Sequence, residues 1–165
     1  MLVLMCGTAF SGKSTFARAL AAKIQALTIS LDDINERRGL WGGDGIAVEE
    51  WQRTHEIATA EVRAGLDAGR TVVIDDTSSP RFLRDGWRSL AAQAGVGFAL
   101  IYLDVDPETI RRRQADNRIS QGRRDVTDEV LEGHLAGFEP PEPDEAAVRV
   151  KSVQDLDQVL KYLTI

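Results

Sequence analysis

The chain has 165 residues, 43% hydrophobic and 28% charged, which suits one globular domain with a substantial core. Its net charge of −6 argues against a general nucleic-acid coat, and no apolar run approaches the roughly 18 residues needed to span a bilayer. Cys6 is the sole cysteine, so no internal disulfide can form and a cytoplasmic home is favoured.

The opening run at 2–6, "LVLMC", reads as a strand, with Cys6 a small buried residue rather than a nucleophile. It lacks the basic start of a signal peptide and runs into a glycine-containing loop, "GTAFSGKST". Phe16, Leu20 and Ile24 follow four apart, the apolar stripe of a helix. A second strand is expected at 27–30, then a helix start at "LDDIN", then the flexible-looking loop "GLWGGDG" at 39–45. Trp51, Ala58, Val62 and Leu66 mark a helix over 47–68, which Gly69 is placed to end. A third strand is read at 71–75. Pro80 then opens a helix with Leu83, Trp87, Leu90 and Ala94 facing inward and Gly95 at its end.

A fourth strand at 98–104 leads to an Asp106 cap with Pro107 in the first helical position. Thr127 caps a further helix. "EPPEP" at 139–143 is a stiff connector to a last strand at 146–150, and Ser152 and Asp155 have capping-box spacing before a final helix. Strand–helix alternation with near-continuous apolar strands predicts an α/β fold on a mainly parallel sheet.

Gly7, Gly12, Lys13 and Ser14 fit G-x-x-x-x-G-K-[ST] between a strand and a helix, the setting a phosphate-binding loop requires. The glycines let the backbone wrap an anion, and the helix N-terminus adds unpaired N–H donors and partial positive charge. The expected nucleotide contacts are Gly7, Thr8, Ala9, Phe10, Ser11, Gly12, Lys13, Ser14 and Thr15. Lys13 would reach the terminal phosphates of ATP, and the Ser14 hydroxyl would ligate Mg²⁺. The chain has only Lys13, Lys23, Lys151 and Lys161, so chance is a weak explanation for a lysine at this position.

A magnesium site also calls for a carboxylate. Asp75 and Asp76 end the third strand, and strand C-termini of a doubly wound sheet border the ligand crevice. One of them helps position the metal or contacts the acceptor. Asp75 is assigned to the metal, and Asp76 with Thr77 to the acceptor; the competing reading makes Asp76 a local cap for the turn at 77–79. Asp32 and Asp33 form a second acid pair at a helix start, where the helix dipole alone would favour them. The functional reading has one of them take the proton of an acceptor hydroxyl, and Asp32 is favoured as this base. Asp33, Asn35 and Arg38 are then near enough to line an acceptor pocket. Trp41 either stacks on an acceptor ring or packs its loop onto the body.

Phosphoryl transfer also needs positive charge around the transferred group. Six arginines fall between Arg111 and Arg124, with "SQG" as a break before Arg123 and Arg124. The stretch 111–127 reads as a hinged lid that would exclude water, with Arg113 and Arg118 as its catalytic cations. The bland reading is a solvated basic helix face. His55 and His134 read as structural, and no zinc-like cluster or G-x-S-x-G elbow is present in the sequence.

"GTAFSGKST", "SLDDINERRG", "AGRTVVIDDTSSPRFLR", "YLDVDPETIRRRQADNR" and "FEPPEPDE", in this order, resemble the small P-loop kinases of the zeta-toxin and polynucleotide-kinase type, often labelled AAA family ATPases. The resemblance covers nearly the whole chain. It implies a three-layer P-loop NTPase fold with a five-stranded, mainly parallel sheet and a short arginine-rich lid. It also implies Asp32 as general base, Asp76–Thr77 as the strand-end pair, and Arg113 and Arg118 as the lid cations. Asn35 stands where the polynucleotide-kinase relatives carry a basic residue, and Ser78 where relatives often carry asparagine.

The expected function is an ATP- and Mg²⁺-dependent kinase acting on a hydroxyl. A small acceptor such as a sugar, nucleoside or antibiotic is favoured over a polynucleotide 5′-hydroxyl. A GTP switch would show an N-K-x-D motif, which is absent from the sequence, and an AAA+ motor would call for a separate helical lid domain. A noncatalytic ATP-binding regulatory module is the remaining alternative.

Overall fold

The computed structural model describes residues 1–40, 46–122 and 125–163. Five strands form one sheet: β1 (Leu2–Cys6), β2 (Leu27–Ser30), β3 (Val72–Asp75), β4 (Phe98–Leu103) and β5 (Val148–Val150). Their order is β2-β3-β1-β4-β5, and all four pairings are parallel. Around them lie α1 (Lys13–Ile24), α2 (Leu31–Arg37), α3 (Val48–Asp67), α4 (Arg81–Gln93), α5 (Pro107–Ser120), α6 (Asp128–Ala136) and α7 (Leu156–Tyr162).

Side chains alternate across a strand, and here both faces are covered. Leu2, Leu4 and Cys6 of β1 pack with Ile34 of α2, Ala58, Val62 and Leu66 of α3, and Trp87 and Leu90 of α4. Val3 and Met5 point the other way, into Phe16, Leu20 and Ala21 of α1 and Val159 of α7. Every residue of β1 has zero exposure, as expected of a central strand covered on both sides. No helix among the described residues is long and apolar enough to cross a membrane.

Most ends carry the caps read from sequence. Asp106 accepts from the amide of Thr109 and Thr127 from Val130; Ser30, not read as a cap, accepts from Asp33. Some details differ. Ala146 has a φ of 51°, which is not extended backbone, so β5 begins only at Val148. The Ser152–Asp155 capping box closes a 3₁₀ turn over Val153–Asp155 before α7 starts. Pro80 sits at the cap of α4, one residue before its first turn. The inward face of that helix is also rotated: Ala94 is exposed and Leu83 half-buried, whereas Arg84 is buried with Trp87, Leu90 and Ala91.

This topology fixes the site. From β1 the chain crosses to β2, returns through β3, and passes over β1 to β4, so the connections diverge on either side of β1. Ligands of open parallel sheets bind at such a switch point, beyond the strand C-termini. Residues 7–14, Asp32 and Asp75–Ser79 all lie at that edge.

Candidate active site

The phosphate loop joins β1 to α1. Gly7 has φ 149° and Gly12 φ 98°, and a Cβ on Gly7 would lie 3.0 Å from the Ser11 hydroxyl and 3.2 Å from Leu103. A side chain is thus excluded at Gly7 by conformation and by space. Gly12 caps α1 with no side-chain hydrogen bond, and no acid occupies the first turn, so the helix end is left for an outside anion. Lys13 is buried, and its Nζ donates to the Thr8 carbonyl at 2.8 Å, folded back over the loop. The Ser11 hydroxyl is buried without a hydrogen-bond partner among the described residues. The Gly7 amide donates to the Thr77 carbonyl at 3.1 Å, which ties the loop to the turn after β3.

Asp75 is buried at the end of β3. Burial raises its pKa from the usual 3.8; Lys13 and a hydrogen bond from Ser14 oppose this, while Asp32 and Asp76 add like charge. Lys13, Ser14, Asp32, Asp75 and Asp76 therefore share one electrostatic neighbourhood. Ser14 and Asp75 are two oxygen donors of the kind Mg²⁺ takes alongside substrate phosphates and water. Among the described residues no group of three or more acid, His or Cys side chains is placed to hold a metal ion.

The two acid pairs divide their work unequally. Asp32 is exposed in the first turn of α2, and its charge reaches both Asp75 and His134. Asp33 is exposed too, and its amide donates to the Ser30 hydroxyl, capping α2. Asp76 accepts from the amide and hydroxyl of Ser78 at 2.9 and 2.8 Å, so it caps its own turn. Arg38 and Asn35 are engaged with α3. Arg38 donates to the backbone carbonyl and carboxylate of Glu50 and to the Thr54 hydroxyl, which in turn donates to Asn35. Trp41 lies outside the described residues.

The arginine-rich stretch is more helical than its sequence suggested. α5 runs unbroken to Ser120 with Arg118 in its last turn, and the chain turns at Gln121 with φ 51°, inside the expected break. Arg113 points at the phosphate loop, donating to the carbonyls of Phe10 at 3.1 Å and Ser11 at 2.7 Å. Arg118 instead pairs with Asp125 and Asp128, and Arg111 with Glu132. Gln114 donates to the Val126 carbonyl, folding the return arm onto α5. Arg123 and Arg124 lie outside the described residues. Beneath this arm Phe10 packs with Ile110 and Leu131, an apolar joint between the phosphate loop and helices α5 and α6.

A family model described as an AAA domain, AAA_33, matches residues 2–141. The chain belongs to that family. Solved structures give the AAA-domain chain the P-loop kinase fold. A sugar kinase from Janibacter sp. superposes with a TM-score of 0.72 at 22% identity over 99% of this chain and 94% of that one. The APS kinase CysC of Mycobacterium tuberculosis, in complex with AMPPNP and APS, gives 0.73 at 18% identity over 99% and 97%. Kti12 of Chaetomium thermophilum, in complex with ADP-AlF3, gives 0.77 at 18% identity over 99% and 97%. At these identities the likeness is one of fold. No curated protein matches the chain.

Two features of this AAA-domain chain escaped the sequence reading. Arg84 is 1% exposed, and its guanidinium forks onto Glu145 at 2.6 and 2.7 Å. It also donates to the carbonyls of Ser78, Ser79 and Glu139, fixing the turn after β3 to the proline-rich connector. A signal was available: Arg84 lies three before Trp87 and seven before Ala91, on the buried stripe of α4. The second is His134, read as structural. Its ring shares the electrostatic neighbourhood of Lys13 and Asp32. His55 fits its structural reading, set against Trp87 with ring centroids 6.0 Å apart.

Proposed function

We propose that this chain transfers the terminal phosphoryl group of ATP to a hydroxyl of a small acceptor. The observation that carries the reading is the placement of Asp32, an exposed carboxylate on a separate helix whose charge reaches the Lys13–Ser14–Asp75 cluster. A site that only bound nucleotide has no need of a free carboxylate there, whereas transfer to an alcohol needs a group to take its proton. Lys13 and the α1 N-terminus would hold the phosphates, and Arg113 lies at the same loop to offset charge on the transferred group. Ser14 and Asp75 would hold Mg²⁺, whose chemistry is to neutralise charge on the phosphate oxygens.

A small acceptor is favoured over a polynucleotide end. Asn35 and Arg38 spend their hydrogen bonds on α3, so the acceptor side of α2 offers little to grip a backbone phosphate. The kinases of like fold named for a sugar and for APS accord with this. The test is transfer of labelled phosphate from ATP to a panel of sugars, nucleosides and aminoglycosides, with 5′-hydroxyl oligonucleotides as a separate arm. Labelled small-molecule product supports the reading. Label on the oligonucleotides alone would move the acceptor to nucleic acid, and AMPPNP binding without any transfer would favour a regulatory module.

A further inference from the structure

Helices α3 and α4 pack on the same face of the sheet, and a groove of about 220 Å³ runs between them. Thr59 and Arg63 of α3 and Leu83, Gly86, Trp87 and Leu90 of α4 line it. None of the residues assigned to the nucleotide or the acceptor does, so the groove is a separate feature. Phe82 stands on its rim with 71% of its surface exposed. A cavity of about 150 Å³ takes a benzene ring, so the groove has room for a phenyl side chain. Gly86 sits in the interior of α4, where alanine is favoured over glycine. A Cβ there would meet no described atom within 4 Å. Packing of the described residues does not call for a glycine at this position. The missing side chain opens the groove and lets another helix approach closely.

Charge is divided along the groove. Its first end holds His55 and Phe82, with exposed Glu56 beside His55 on α3. Its other end holds Arg63, also exposed, whose guanidinium donates to Gln93 at 3.1 Å. Glu56 and Arg63 are about two helical turns apart, too far to pair within one helix. A two-fold axis passing at Gly86 lays one groove over another in reverse. Position 82 of each copy then faces position 90 of the other, and each Arg63 comes to the end that carries Glu56. We infer that the α3–α4 face is the interface of a homodimer, in which the Phe82 ring of each copy fills the groove of the other. An interface of this symmetry needs one patch that carries both knob and hole, and this face has both. Aromatic anchors seated in pockets dominate the energy of such contacts. A small apolar ligand would fill the groove but leave Phe82 in water and the opposed charges unused. The inference does not depend on the kinase reading.

The test is sedimentation velocity on the full chain from roughly 1 to 500 µM, a range that spans weak and moderate self-association. Wild type should pass from monomer to dimer within it. Phe82→Glu and Gly86→Leu should each raise the dimer Kd at least about tenfold. Leucine favours a helix over glycine, so the Gly86→Leu monomer should melt no lower than wild type at the dilute end. That separates loss of the interface from loss of the fold. Arg63→Glu and Glu56→Arg should each weaken the dimer, and the two together should recover most of the loss, since the exchanged charges again face each other. A wild-type chain that stays monomeric throughout overturns the inference. So does a dimer that neither Phe82→Glu nor Gly86→Leu weakens, because it would be built on another face.

Discussion

The Nη1 of Arg113 donates to the carbonyl oxygen of Ser11 at 2.7 Å, joining the middle of α5 to the phosphate loop. The same guanidinium nitrogen lies 3.6 Å from where a Cβ on Gly12 would stand. Arg111 and Arg118 pair with acids of the return arm and α6, whereas Arg113 faces the loop. Arg113→Ala should therefore lower kcat about 10²- to 10³-fold while AMPPNP affinity changes less than about tenfold. Arg118→Ala should cost less. Arg113→Lys should recover only part of the rate, since a lysine lacks the planar fork. Steady-state kinetics paired with calorimetry on the three proteins checks this.

Asp75 gives a prediction on stability. Its folded pKa is raised by burial, so its contribution to folding is fully present below the ordinary 3.8 and is lost as pH rises through the raised folded value. Above that value the carboxylate is thus a net cost to the ligand-free fold. Asp75→Asn should raise Tm at pH 7 in EDTA and leave it nearly unchanged at pH 3. The same change should remove the extra stabilisation that Mg²⁺ gives to the ATP-bound protein. Thermal melts across pH, with and without Mg²⁺–ATP, measure both effects.

Arg84 and Glu145 are each about 1% exposed at the side chain, and breaking such a pair strands a buried charge. Arg84→Ala should cost about 3–5 kcal/mol in urea unfolding. The double change Arg84→Met with Glu145→Leu should cost less than either single truncation, because no charge is left alone. Because Arg84 also holds the Ser78 and Ser79 carbonyls, the single variant should loosen the turn beside Asp75, seen as faster amide exchange at residues 76–79.

Cys6 should be inert. Burial pushes its thiol up to about 12, and its Sγ–H donates to the Ser78 carbonyl at 3.5 Å. Alkylation at pH 8 should be negligible in the native protein and complete in guanidinium chloride.

The sheet was legible because its signals are local. Each strand is a short apolar run, each helix carries a cap or stripe nearby, and β1 to β4 fall within a residue of their expected bounds. The phosphate loop was legible for the same reason: Gly7, Gly12, Lys13 and Ser14 occupy one contiguous stretch. What was missed is long-range. Arg84 meets Glu145 across 61 residues, a distance over which no spacing rule operates. The inward face of α4 was misplaced because a buried ion pair puts an arginine where periodicity expects an apolar residue.

The central claim is that Asp32 takes the proton of an acceptor hydroxyl in transfer from ATP. The direct measurement is single-turnover transfer to the best acceptor of the panel by wild type and Asp32→Asn, with AMPPNP affinity determined on both. Transfer should fall about 10²- to 10⁴-fold while AMPPNP affinity stays within about threefold. Transfer by Asp32→Asn at close to the wild-type rate would contradict the account.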